Sequence, residues 1–129
     1  MRRAMIWLVG AAAVGTAACG QSSGGMGACN PASSASFTIA AAGINPMAVC
    51  VLPGGSVTFV NGDTVAHDVE STGNPCPVLN LGAIPAGQNK VAVFPTVETC
   101  TFHDASNPSN AAFQGTVAVS NSTTTGPGY

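Results

Sequence analysis

Beyond its apolar leader the chain has no stretch with the 3.6-residue spacing that would give a helix one buried face, and Pro and Gly interrupt it throughout. What remains is a series of short runs rich in Val, Thr and Phe: residues 36–40, 47–52, 56–61, a short one near His67, then 91–94, 99–103 and 116–120. Turn signals at Pro53-Gly54-Gly55, Asn61-Gly62-Asp63 and Pro85-Ala86-Gly87 separate them. About seven or eight short strands with regular turns predict an all-β chain, a two-sheet Greek-key sandwich of one domain.

Met1-Arg2-Arg3 and the apolar residues 4–14 have the form of a secretory signal, too short to remain as a spanning helix. Gly15-Thr16-Ala17-Ala18-Cys19 resembles a bacterial lipoprotein cleavage box, with Thr16 where leucine is usual. Residues 1–18 are read as the signal, Cys19 as the lipid attachment site and 19–35 as a flexible tether. The domain is then 36–120 and a loose tail 121–129. The plainer alternative is cleavage after Ala18 that leaves Cys19 a free or bridged thiol. Either way the expected location is the bacterial cell envelope, and with the lipid the protein is anchored to a membrane.

Only 6% of residues are charged. Without Arg2 and Arg3, Lys90 faces five carboxylates, a net charge of minus four. Nothing is left to neutralise a phosphate backbone, which argues against a nucleic-acid partner.

Cys100 and His103, three residues apart between two apolar runs, offer a thiolate and an imidazole from one loop. His67, at the end of its own strand-like run, is the other histidine in the chain. Two His and one Cys form the ligand set of a blue-copper site. In order, the Pro53-Gly54-Gly55 turn, Asn61-x-Asp63-x-x-x-His67, Pro85-Ala86-Gly87 and Cys100-Thr101-Phe102-His103 resemble the cupredoxins, the small blue-copper electron carriers. The resemblance covers residues 37–120.

That resemblance implies copper held by His67, Cys100 and His103. Phe113, two residues before Gly115, stands at the axial position without coordinating. Asp68 and Thr101 are implied as the hydrogen-bonding pair behind the ligands. Cys29 and Cys50 resemble the N-terminal disulfide of azurin. The remaining thiol, Cys76, leaves two readings open: Cys100 binds copper and Cys76 is free or a neighbour of the metal, or Cys76 and Cys100 are bridged. The leading function is a membrane-tethered type 1 copper protein that passes single electrons to a redox partner, as a monomer. The alternatives are a copper-handling lipoprotein without a redox partner and a metal-free module with a Cys76–Cys100 bridge. With no nucleophile and base pair in view, the chain does not read as an enzyme.

Overall fold

A computed structural model describes residues 29–73 and 76–121. The signal, Cys19, most of the tether and residues 122–129 of the tail lie outside them. Eight strands follow in order: β1 (Ala32–Ala40), β2 (Gly43–Asn45), β3 (Ala48–Asn61), β4 (His67–Thr72), β5 (Gly82–Ile84), β6 (Asn89–Phe94), β7 (Glu98–Asp104) and β8 (Gln114–Val119). Two 3-10 turns, Pro77–Leu79 and Ala111–Phe113, accompany them. The fold is all-β, as the strand pattern predicts.

β3 builds the two layers. Its first part, Ala48 to Val51, lies parallel to β8, whose other neighbour is β7, followed by β4 and β5. Its second part, Gly55 to Val60, pairs with β6 on one side and lies parallel to β1 on the other, with β2 beyond β1. Pro53-Gly54-Gly55 therefore does not reverse the chain between two strands. It lies within one long strand, where the register against β1 jumps from Ala32 with Val51 to Ser34 with Ser56. Proline, which cannot donate to the ladder, fits such a bulge, and Gly54 takes a φ of 82° that its missing Cβ allows. The same parallel pairing draws β1 back to Ala32, four residues ahead of the sequence expectation.

Alternation fills the interior. Phe37 and Ile39 of β1, Val57 and Phe59 of β3, and Cys100, Phe102 and Asp104 of β7 all turn inward. Phe102 meets Phe37 and Phe59 of the other layer edge-on, with ring centroids 4.9 and 5.1 Å away. Gly115 pairs with Phe102 across the strands and leaves room for that ring: a Cβ there would lie 2.5 Å from its Cζ. With the core aromatic placed, the next inward residue along β7 is Asp104, at the end of the sandwich where β4 begins.

Candidate functional site

His67 opens β4 and is 3% exposed. Its Nδ1 lies 2.7 Å from Oδ2 of Asp104 and its Nε2 lies 2.9 Å from Oδ2 of Asp63. The ring stacks on Phe113, with centroids 5.7 Å apart and planes at 21°. Each neighbour is positioned by its own local structure. Asn61, fully buried, accepts from the Asp63 backbone N–H and donates to the carbonyls of Val65 and Ile84, which shapes the loop that aims Asp63 at the imidazole. Asn110 caps the short turn that carries Phe113 by accepting from the Ala112 N–H.

Asp104 is the centre of this cluster. Its Oδ1 accepts from the backbone N–H of Asp68 and of Ser106, and its Oδ2 accepts from the Asn107 side-chain amide as well as from His67. Burial pushes its acidity the other way, yet these donors hold its pKa down to about 2. Asp63 is lowered too, first by its bond to His67 and then by the Thr64 N–H. Burial opposes charge on His67, but the bonds to Asp104 and Asp63 outweigh it and raise its pKa. An acceptor at each ring nitrogen favours the imidazolium form of His67, in which both N–H groups donate.

A pH profile of stability follows. The carboxylate contributions are complete above the ordinary value of 3.8 and are lost as pH falls through the depressed ones, about 2 for Asp104. The His67 contribution is complete below the ordinary 6.5 and is lost as pH rises through the raised value. Urea midpoints should therefore be highest between roughly pH 4 and 6.5 and fall on both sides, and His67→Gln should flatten the alkaline limb.

The copper trio expected from the sequence is not brought together. His67 and Phe113 meet as foreseen, but Cys100 is bonded to Cys76, with Cα atoms 5.8 Å apart. Cys100 lies four residues before Asp104 on the same inward face, about 13 Å along an extended strand. His103, an odd number of positions from Cys100, points to the opposite face, where its Nε2 lies 3.2 Å from Glu70 of β4. Strand alternation thus separates two residues that a loop would have let converge. The pair foreseen behind the ligands is parted as well. Thr101 accepts from the Thr72 hydroxyl and donates to the Thr72 carbonyl, while Asp68 serves the site through its backbone N–H. The register that places Thr101 opposite Thr72 puts it at the far end of β4 from Asp68. Cys29 and Cys50 are bridged, with Cα atoms 5.9 Å apart.

Among the described residues, one set of three possible metal ligands has its donor atoms within 4.8 Å of one another: Cys76, Glu98 and Cys100. Glu98 begins β7, and its Oε2 lies 3.6 Å from the Cys76 sulfur. The sequence reading missed this glutamate, and it missed the roles of Asp104 and Asn107. The alternation Cys100, Phe102, Asp104 carried the signal, as did Asp104-x-x-Asn107, which repeats the spacing of Cys100-x-x-His103.

No family model and no curated protein matches this sequence. Solved structures do. A purple cupredoxin from Nitrosopumilus maritimus aligns at 22% identity over 67% of this chain and 99% of its own, with a TM-score of 0.59. Amicyanin in a reduced Cu(I) form aligns at 21% identity over 70% and 86%, with a TM-score of 0.55. Plastocyanin from Dryopteris crassirhizoma aligns at 20% identity over 66% and 99%, also at 0.55. The chain has the cupredoxin fold. Its residues at the His67 end do not fit the copper centre that the fold implies: the imidazole is bonded on both sides, and Cys100, the expected thiolate, is bonded to Cys76.

Proposed function

We propose that this chain is a copper-handling protein of the cell envelope, built on the cupredoxin fold and held to a membrane by an acylated Cys19. The observation that carries the reading is the convergence of Cys76, Cys100 and Glu98. Two thiolates suit Cu(I), the form named for one of the solved neighbours, and the Glu98 carboxylate beside them offsets the charge of the ion. The bridge governs access to these ligands. A dithiol reductant attacks the Cys76–Cys100 bond, becomes a disulfide itself and delivers two electrons, and the two cysteines take up two protons. Binding of one Cu(I) then releases those protons. A copper protein is what the solved neighbours suggest, and the bridge favours holding copper and handing it on over passing single electrons. The acidity of the chain supports a protein or small-molecule partner over nucleic acid.

Titration of the mature protein with Cu(I) tests this. One equivalent should bind after reduction and none before it, and Cys76→Ser or Cys100→Ser should abolish binding. A reduced, folded protein that takes up no Cu(I) leaves the second reading, a metal-free module with a structural bridge. That reading draws support from the burial of both sulfurs and from the hydrogen-bonded state of His67. Mass spectrometry of the N-terminus tests the anchor separately: an unmodified Cys19 would remove it.

A further inference from the structure

We infer that Asp104 and Asn107 occupy, in this chain, the position that a metal bound to His67 would require of its other ligands, so that a hydrogen-bonded imidazole, carboxylate and amide close this end of the sandwich and keep copper out of it. This end of the sandwich is separate from the thiol cluster, which lies at Cys100, four residues before Asp104 in β7.

Three observations converge. First, the inward alternation of β7 ends beside His67 with Asp104, and Cys100 lies two inward positions earlier. Second, His67 Nδ1 and Asn107 Nδ2 both reach one atom, Asp104 Oδ2, at 2.7 and 2.8 Å, and the Phe113 ring stacks on His67. Imidazole, carboxylate and amide thus meet at one point, with the Asp104-x-x-Asn107 spacing that a thiolate and a second imidazole would need. Third, this set cannot replace those ligands. An amide nitrogen has no lone pair to donate, a carboxylate is a hard donor, and Asp63 occupies the other ring nitrogen. No buried side-chain nitrogen or oxygen among the described residues lacks a hydrogen-bond partner, so the cluster is complete without an ion.

The test uses the oxidised protein and Cu(II), with absorption and paramagnetic spectra as the readout. Wild type and His67→Gln should give the same weak Cu(II) signal, with no thiolate-to-copper band. Asp104→Cys combined with Asn107→His should create an intense visible band, and adding His67→Gln should remove it. A folded double variant without that band, as judged by a cooperative thermal transition, overturns the inference. So does wild-type Cu(II) binding that His67→Gln weakens tenfold or more. If the double variant does not fold, the comparison of wild type with His67→Gln decides alone.

Discussion

Asp104→Ala should lower the unfolding temperature of the domain by roughly 15 °C or more, the largest effect of any single polar substitution in the cluster. The carboxylate is fully buried and accepts from Asp68, Ser106, Asn107 and His67. Removing it leaves an imidazolium without its closest counter-charge and three further donors without an acceptor. Breaking one side of a buried ion pair costs about 3–5 kcal/mol. In a domain of this size each kcal/mol moves the transition by roughly 4–8 °C. Asp104→Asn keeps one acceptor oxygen and should lose distinctly less. Thermal melts at pH 5.5, where His67 is charged, compare the two, and equal melting of Asp104→Ala and wild type would show that the cluster does not hold the fold.

Replacing Cys76 and Cys100 together by alanine should cost roughly 3 kcal/mol, about the loop-closure entropy that a bridge of this span removes from the unfolded chain. The two residues are 24 apart in sequence. The double replacement is the cleaner probe, because a single one leaves a lone thiol buried beside Glu98. Denaturant unfolding measures the loss. Reduction of the bridge should reproduce it in part, and Cu(I) added to the reduced protein should restore stability in proportion to the logarithm of its free concentration. Recovery that survives Cys76→Ser would place the copper elsewhere.

The fold was legible because its signals are local. Each run of alternating residues needs only its own composition and the adjacent turn to declare itself, and the buried Phe37, Phe59 and Phe102 obey that pattern. Pro53-Gly54-Gly55 misled about chain direction, since a bulge and a reversing turn draw on the same residues. His67 and Phe113 were placed together from the order of motifs. Cys100 and His103 were not separable in that way: reading them as a loop lets both side chains point one way, and reading them as strand forbids it. The strand continues to Asp104 because β8 pairs with it as far as His103 and β4 as far as Asp104, a long-range fact. The pairing of Cys76 was likewise open, with parity favouring a bridge and the copper motif opposing it, and it is settled by the approach of Cys100 in β7 to Cys76.

The Cys29–Cys50 bridge also decides how the domain would bear tension. A pull arriving from the residues before Cys29 meets a covalent branch at once, and the load crosses to Cys50 in β3, a strand flanked by β1, β6 and β8. β1 is thereby spared: the 21-residue interval between the two cysteines cannot lengthen while the bridge holds. Cutting that bond would release about 70 Å of slack chain at full extension and leave β1 to be sheared from its neighbour by its hydrogen bonds alone.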